Sequence, residues 1–299
     1  MSTTAPTSSA APRLWHGYAA ALATVVIWAG FILVSRLGGK TGLTGWDIVA
    51  LRLGVASVVM LPLSLRLPAG TWRDRRLWTL AVIGCLGFLI FVYLGFKRAP
   101  AAHGGILIPG MQPFLVTAIA WVLLGARPSR QRLWALVPIA LGVTCMAVPV
   151  VASLGEGPST LGGDLLLLTG SLCWATYSVL VRKWVYDAWL LTRFVTIASA
   201  LLFLPVYALA LPKGLDTVPV SMLLLQGLYQ GLGPAILAMV LFLHAVKTLG
   251  AERTGALVAL VPVMAGLGAV PLLGEPLTAT LVAGLALVSL GAWLSTRVR

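Results

Sequence analysis

Long apolar stretches separated by short polar loops run through almost the whole chain. Ten of them approach twenty residues, the length an α-helix needs to cross a hydrocarbon core of about 30 Å. They cover residues 17–37, 48–67, 77–97, 105–124, 132–151, 163–182, 188–211, 219–246, 255–273 and 279–296. Backbone groups in lipid must be bonded internally. The predicted fold class is therefore an all-α integral membrane protein with ten transmembrane helices.

The second five stretches repeat the landmarks of the first five in the same order. A gap-free overlay of the first and sixth stretches aligns Trp28 with Trp174, and near the ends of the two halves Pro113 matches Pro262. A period of about half the chain indicates a duplicated unit. Because five is odd, the second copy must enter the membrane from the opposite side, which predicts two inverted five-helix repeats.

The repeat predicts four parts of the chain. Residues 1–16, rich in Ser, Thr, Ala and Pro, are expected to be a disordered cytoplasmic tail, and residues 17–151 the first repeat. Residues 152–162 are expected to be an external linker loop, and residues 163–297 the second repeat. The first apolar stretch is too long for a removable signal peptide and lacks a small-residue cleavage site, so we expect it to remain as helix 1.

The composition, with 59% hydrophobic and 10% charged residues, does not fit a soluble globule. The net charge of +13 could suggest a nucleic-acid partner. With the N-terminus in the cytoplasm, however, fourteen Lys and Arg fall in cytoplasmic segments and five outside, as the positive-inside rule predicts. The lack of Asn and the excess of Arg over Lys are typical of GC-rich bacterial coding. We therefore expect a multi-pass protein of the bacterial inner (plasma) membrane, with both termini cytoplasmic and no nucleic-acid partner.

Two tryptophans lie close to the predicted membrane midplane. Most of the eleven tryptophans lie near segment ends, as in an interfacial aromatic belt. Trp28 and Trp174 are instead each about 16 Å from the start of their segment, at about 1.5 Å per residue. They either line a substrate cavity or pack between helices with the indole N–H bonded to a carbonyl.

Aromatic and polar side chains on neighbouring helices form the predicted binding set. Thr24, Trp28 and Phe31 follow helical spacing and share one face of helix 1. The predicted substrate-binding residues are Thr24, Trp28, Phe31, Tyr93, Gln112, Trp174, Tyr177, Ser178, Tyr229 and Gln230. Tyr229 and Gln230 indicate either a wet cavity or hydrogen bonding between helices. The prolines Pro109 and Pro113 each remove a backbone donor within helix 4, which is tolerated only against protein or a wet cavity.

The charged residues limit the possible substrates and coupling groups. All eight carboxylates lie in loops or at segment ends, so we expect no buried acid as a proton carrier, and permanent cations should be poor substrates. His103 and His244 are the remaining candidates for coupling to an ion, unless they are ordinary helix-end histidines. Arg52 and Arg193 occupy matched points of the repeat, about a turn inside their helices. Snorkelling to the interface is the favoured interpretation, and anion binding is the alternative.

No cofactor and no metal ion are predicted. Cys85, Cys145 and Cys173 fall within apolar segments without metal-ligand spacing. The GxSxG, HExxH and P-loop patterns are absent, which argues against an enzyme and against an ATP motor. A selective channel would need a repeated charged or carbonyl-rich filter, which the sequence lacks.

Three short motifs give a resemblance to a known family. WAG lies within the first stretch, LRL at Leu51 to Leu53, and an LLGEP sequence containing Glu275 precedes the last helix. Together they resemble the drug/metabolite transporter superfamily in its EamA-type branch, and most of all the bacterial aromatic amino acid exporters. The first copy has Ala126 in the place of Glu275. The resemblance implies a ten-helix bundle with helices 5 and 10 at the periphery and a central cavity that opens alternately to either side.

The function predicted from these features is export of aromatic and other neutral amino acids, and of related small metabolites, by alternating access. The alternative is export of other small metabolites or drugs within the same superfamily; a channel or sensor and a membrane-embedded enzyme are more distant rivals. The expected partners are a small-molecule substrate and the lipid bilayer. We expect a monomer or a weak homodimer.

Overall fold

The protein, described by a computed structural model, is all-helical over residues 14–152 and 160–297, the part of the chain that the structure describes. We number the helices α1 to α10. Their bounds are α1 Leu14–Gly39, α2 Gly45–Ser64, α3 Arg75–Phe96, α4 Ala101–Leu124, α5 Arg130–Ala152, α6 Leu161–Trp184, α7 Ala188–Ala210, α8 Val220–Leu249, α9 in two pieces Ala251–Val258 and Val261–Leu273, and α10 Ala279–Thr296. Residues 14–16 of the predicted tail form the first turn of α1; the rest of that tail, and residues 153–159 of the predicted linker, lie outside the described residues.

The predicted all-helical membrane fold is confirmed. Each predicted stretch corresponds to one of these helices, and among the described residues eight helices are long and apolar enough to cross a membrane. The apolar part of α10, Ala279–Leu294, is shorter. The number of membrane crossings therefore stays a prediction.

The contacts at one end of the bundle show how the helices run. There the end of α1 contacts the loop after α9 through Arg36 and Glu275, and Glu275 also accepts from the backbone N–H of Ala101 at the start of α4. His103 at the start of α4 contacts Asp164 at the start of α6. We call this the Glu275 end, and the opposite end, where α9 begins, the Gly255 end.

The two halves of the bundle run in opposite directions. α1 ends at the Glu275 end whereas its counterpart α6 begins there, and α4 begins there whereas its counterpart α9 ends there. Asp47 near the start of α2 accepts a hydrogen bond of 2.6 Å from the hydroxyl of Tyr207 near the end of α7, so this pair is also opposed. The inverted arrangement predicted from the odd helix number is confirmed by these pairs.

The helices α5 and α10 pack against each other in opposite directions through glycines. A Cβ atom added to Gly142 would lie 2.7 Å from the carbonyl oxygen of Gly284, and one added to Gly291 would lie 2.9 Å from the backbone nitrogen of Ile139. Small residues of this kind let two membrane helices approach at backbone distance. The close contact joins the last helix of each half.

Three of the helices contain widened, π-helical turns. These turns cover Ala81–Gly87 in α3, Ile106–Gly110 in α4, and Leu225–Tyr229 and Gly233–Leu237 in α8. The turn in α4 and the second turn in α8 include a proline, Pro109 or Pro234, which cannot complete an i to i−4 hydrogen bond. π-turns are frequent at functional sites. Here they mark the helices that surround the centre of the bundle.

We predict that Gly142→Ala lowers the midpoint of thermal unfolding in detergent. The added methyl group would force α5 and α10 apart, and overpacking of this kind costs about 1–3 kcal/mol. The matched control is Gly54→Ala on α2, where an added Cβ meets nothing within 4 Å. It should leave the midpoint unchanged or raise it, because Ala is the better helix former. Equal midpoints for the two variants would contradict this account of the α5–α10 contact.

Candidate functional site

A cavity of about 380 Å³ lies between the two halves of the bundle. This volume is within the range of about 300–1,000 Å³ that is usual for small-molecule sites. The lining residues come from α1 to α4, α6, α8 and α9, and most are apolar or aromatic: Trp28, Phe31, Ile32, Arg52, Phe88, Ile108, Pro109, Gln112, Val116, Trp174, Ser178, Pro234, Met239, Phe242, Gly255, Val258 and Val261. Because Gly255 and Val258 lie in the first piece of α9, the cavity extends towards the Gly255 end.

Aromatic rings form a continuous wall along one side of the cavity. The ring centroids are 6.1 Å apart for Phe31 and Phe88, 5.2 Å for Phe88 and Trp174, and 5.3 Å for Trp174 and Tyr177. Trp28 packs against Phe242 of α8 at 5.4 Å. Rings at these distances present π faces and edges on which another aromatic group can stack.

The cavity brings together five of the residues predicted from the sequence. Trp28, Phe31, Gln112, Trp174 and Ser178 all line it. For Trp28 and Trp174 this position corresponds to the first of the two alternatives that the sequence left open, the lining of a cavity. Tyr177 does not line the cavity but stacks on Trp174 and extends the aromatic wall.

The other predicted residues make contacts between or within helices. Thr24 donates to the Ala20 carbonyl at 2.8 Å, and Tyr229 donates to the Ile27 carbonyl at 3.1 Å. Gln230 donates to the Ser35 hydroxyl at 3.1 Å. The bond of Thr24 stays within α1, whereas Tyr229 and Gln230 connect α8 with α1, which is the interhelical role that the sequence left as an alternative for these two.

Gln112 and the prolines provide polar groups in an otherwise apolar cavity. The Gln112 amide donates to the Ser171 hydroxyl at 2.9 Å, which fixes its position against α6. Pro113 has no N–H for the Pro109 carbonyl, and Pro262, its repeat partner, has none for the Val258 carbonyl. Pro109 and Val258 both line the cavity. In each half a proline thus removes the usual helical donor for the carbonyl of one lining residue, and the Pro109 carbonyl accepts instead from the Met111 N–H.

Arg52 lines the cavity and corrects the favoured sequence interpretation. Its guanidinium lies 5.3 Å from the centroid of the Phe31 ring and donates to the Tyr93 hydroxyl at 3.3 Å. Arg193, its repeat partner, instead lies over Trp189 and donates to the Leu63 carbonyl. Snorkelling to the interface therefore fits Arg193 but not Arg52. The physical reason is that Phe31 and Tyr93 hold Arg52 on the inner face of α2.

A buried layer separates the cavity from the Glu275 end. Ser35, Tyr93, Phe96, Gln226 and Gln230 have no exposed surface, and each lies nearer that end than the cavity residues of its helix or of its neighbours. The Gln226 amide donates to the Val34 carbonyl at 2.8 Å. The side-chain oxygens of Gln226 and Gln230 are buried without a hydrogen-bond partner among the described residues.

Above this layer, Arg36 and Glu275 form an ion pair at 3.0 Å, with 15% and 8% of their side chains exposed. Arg36 also donates to the Phe96 carbonyl at 2.8 Å, while the second oxygen of Glu275 accepts from the Ala101 N–H at 2.9 Å. Lys40 donates to the Leu273 carbonyl. Together these bonds join α1, α3, α4 and the end of α9, so the bundle is closed at the Glu275 end.

Among the described residues the acids lie in loops or at helix ends, as predicted, but three of them are buried, so the expectation of no buried acid is wrong for these three. These are Asp47, Asp164 and Glu275, and each accepts hydrogen bonds. Asp164 lies 2.9 Å from Nδ1 of His103 and also accepts from Thr160. His244, by contrast, is exposed near the end of α8.

A hydrogen bond outside the membrane-spanning segments links the halves at the Gly255 end. Tyr186, in the loop between α6 and α7, donates to Asp74 just before α3. This hydrogen bond lowers the pKa of Asp74 below its usual value. Burial, together with the Asp74 carboxylate, raises the pKa of Tyr186 to about 12. The contact joins α3 to the α6–α7 loop.

Several lining residues had no signal in the sequence. Phe88, Met239 and Phe242 lie in parts of α3 and α8 that are apolar on all sides, where spacing alone does not identify the inward face. Phe88 and Phe242 are nevertheless the neighbours of Trp174 and Trp28. Only the packing of α3 and α8 reveals them.

An apolar helical bundle with inverted halves and a central cavity closed at one end is the architecture of a membrane transporter for small molecules. The model of the EamA-like transporter family matches residues 15–148 and again residues 161–297. The chain belongs to this family, and it is a transporter rather than an enzyme.

Two individual proteins are similar to the chain. The uncharacterized transporter YyaM of Bacillus subtilis (strain 168) is 27% identical over 226 residues, which are 73% of this chain and 72% of that protein. A protein of known crystal structure, 20% identical in sequence, matches with a TM-score of 0.63 over 94% of this chain and 96% of its own. The second similarity supports the fold.

We predict that Glu275→Gln opens the Glu275 end. In a variant with Ser178→Cys and with Cys85, Cys145 and Cys173 replaced by Ala, a membrane-impermeant maleimide should label the cavity from the Gly255 end. Adding Glu275→Gln should raise labelling from the Glu275 end by about tenfold or more, since a charge-assisted hydrogen bond contributes about 1.5–3 kcal/mol.

The control for this prediction is Asp216→Asn. Asp216 is an exposed acid in the loop between α7 and α8, at the same end of the bundle. It should leave the labelling rate from that side unchanged. If both acids behave alike, the ion pair does not close this end.

Proposed function

We propose that this transporter exports aromatic and other neutral amino acids, and related small metabolites, across the bacterial inner membrane by alternating access. The observation that carries the proposal is the aromatic wall of Phe31, Phe88 and Trp174. Trp28 of α1 adds a further ring, which packs against α8. A planar side chain can stack there, and the cavity volume is sufficient for one amino acid.

The polar groups of the cavity support a neutral, zwitterionic substrate. An ammonium group needs hydrogen-bond acceptors, and the side-chain oxygens of the lining residues Gln112 and Ser178 supply them without a formal charge. The NH2 group of Gln112 is already used, because it donates to the carbonyl and the hydroxyl of Ser171. No carboxylate belongs to the described lining of the cavity, which agrees with poor transport of permanent cations.

The direction of transport follows from the charge distribution. The Gly255 end carries the basic loops that the positive-inside rule assigns to the cytoplasm. With the Glu275 end closed, the cavity would then receive its substrate from the cytoplasm. Opening of the Arg36–Glu275 contact and closure of the Gly255 end would complete export.

We predict that Trp28→Ala and Trp174→Ala each weaken transport of labelled phenylalanine in counterflow, measured in liposomes with the purified protein. Loss of a stacking partner in the cavity should raise the half-saturating concentration roughly tenfold. Trp134→Ala, which removes an exposed tryptophan of α5 with 74% of its surface accessible, is the control and should have no effect.

The same assay separates the rival functions. Saturable counterflow of aromatic amino acids supports the proposal, and rates linear in concentration would indicate a channel. If a panel of sugars, nucleosides and apolar drugs is transported but no amino acid is, the protein exports other metabolites within the same family. Unchanged rates in both tryptophan variants would remove these residues from the binding site.

For coupling, we propose His103 in preference to His244. His103 contacts Asp164 between the two halves at the closed end, so a change in its protonation alters a contact that must break during opening. His244 is exposed and, among the described residues, forms no ion pair.

We predict that a pH gradient imposed across proteoliposomes changes phenylalanine uptake by the wild type but not by His103→Gln. Counterflow, which needs no driving force, should persist in this variant. His244→Gln should retain both activities. A gradient response that survives in His103→Gln would rule out coupling through this residue.

A further inference from the structure

Arg52 is the one charged side chain in the described lining of the cavity. Every other lining group is apolar, aromatic or a neutral polar side chain such as Gln112 or Ser178. A guanidinium in this position sets the electrostatic potential of the whole site, because water and counter-ions screen charges poorly inside an apolar cavity.

The protein itself leaves this charge without a carboxylate partner. Among the described residues the ion pairs are those of Arg36 with Glu275 and of His103 with Asp164, and neither involves Arg52. Its one hydrogen bond in this part of the chain is to the Tyr93 hydroxyl, at 3.3 Å. A guanidinium has five N–H donors, so most of them remain available to a ligand.

Two neighbours hold the guanidinium in place for that ligand. The Phe31 ring lies 5.3 Å from its central carbon, and the completely buried Tyr93 fixes one of its nitrogens. The guanidinium is planar and held in one position, so two of its N–H groups can donate in parallel to the two oxygens of a carboxylate. Since Phe31 begins the aromatic wall, a carboxylate at Arg52 would place an attached aromatic ring against Phe31, Phe88 and Trp174.

We infer that Arg52 binds the carboxylate of the transported molecule, and that the cavity selects aromatic compounds by this group rather than by an amine. The inference rests on the proposed function and narrows it, because aromatic carboxylates with or without an ammonium group fit the site, whereas aromatic amines without a carboxylate do not. Arg52 lies next to the buried layer of Ser35, Tyr93 and Gln230, so the carboxylate is bound at the closed end of the cavity.

The repeat supplies a matched control. Arg193 occupies the corresponding position of the second half, but its guanidinium lies over Trp189 and donates to the backbone of α2 and α7. Replacing either arginine removes the same charge from the protein. Only the replacement of Arg52 removes it from the cavity.

The test measures binding of three ligands with the same ring to the purified full-length protein by isothermal titration calorimetry. L-Phenylalanine and 3-phenylpropanoate should bind, and phenethylamine should bind at least tenfold more weakly. Arg52→Gln should raise the Kd of both carboxylates roughly ten- to a hundredfold, as expected for a lost charge-assisted pair. Arg52→Lys keeps the charge but loses the paired N–H donors, so its Kd for the carboxylates should lie between those of the wild type and Arg52→Gln. Arg193→Gln should have the Kd of the wild type.

Equal affinity of the wild type for phenethylamine and 3-phenylpropanoate would overturn the inference, and this comparison needs no variant. So would an unchanged Kd for the carboxylates in a folded Arg52→Gln protein. Labelled-phenylalanine counterflow tests the proposed function separately. If it is absent while 3-phenylpropanoate binding still depends on Arg52, the inference stands and the proposed amino acid substrate fails; if counterflow is present but insensitive to Arg52, the opposite holds.

Discussion

The ion pair between Arg36 and Glu275 holds four helix ends together at the closed end of the bundle. It joins α1 of the first half to the end of α9 in the second, and through Phe96 and Ala101 it includes α3 and α4. A charge left alone in this setting would cost several kcal/mol, so the four helix ends stay together while the pair is intact. The first copy of the repeat has Ala126 at the position of Glu275. The repeat therefore supplies no equivalent of the Glu275 carboxylate at the other end.

Duplication gave both halves the same set of parts, which the two copies use differently. The prolines Pro113 and Pro262 keep a common role, because each leaves a lining carbonyl without its usual donor. Arg52 and Arg193 have different roles. The guanidinium of Arg52 lines the cavity, whereas that of Arg193 lies over Trp189. Symmetric positions therefore build the common scaffold of the two halves, while the positions that diverge give the cavity its chemical character.

The fold could be predicted almost completely because lipid allows few solutions. Apolar stretches of sufficient length must be helices, and an odd number in each repeat fixes their relative direction. Trp28 and Trp174 could also be identified, since depth in the membrane follows from position along a helix. The orientation of a side chain around the helix axis is different: α2 is apolar on nearly all sides, so spacing does not reveal that Arg52 faces inward. The contacts of Tyr229 and Gln230 with α1 likewise depend on how close the helices approach, which single-sequence patterns do not contain.

The side-chain oxygens of Gln226 and Gln230, which have no hydrogen-bond partner within the described part of the chain, destabilise the closed layer. Burying an amide oxygen without a donor costs about 1–3 kcal/mol, and water would satisfy both oxygens as soon as the layer parts. Opening of the layer recovers this cost. The free-energy difference between the closed and the open layer is therefore smaller than the packing of the layer alone would give. A seal that is complete in shape but incomplete in hydrogen bonding needs less free energy to open than a fully bonded one.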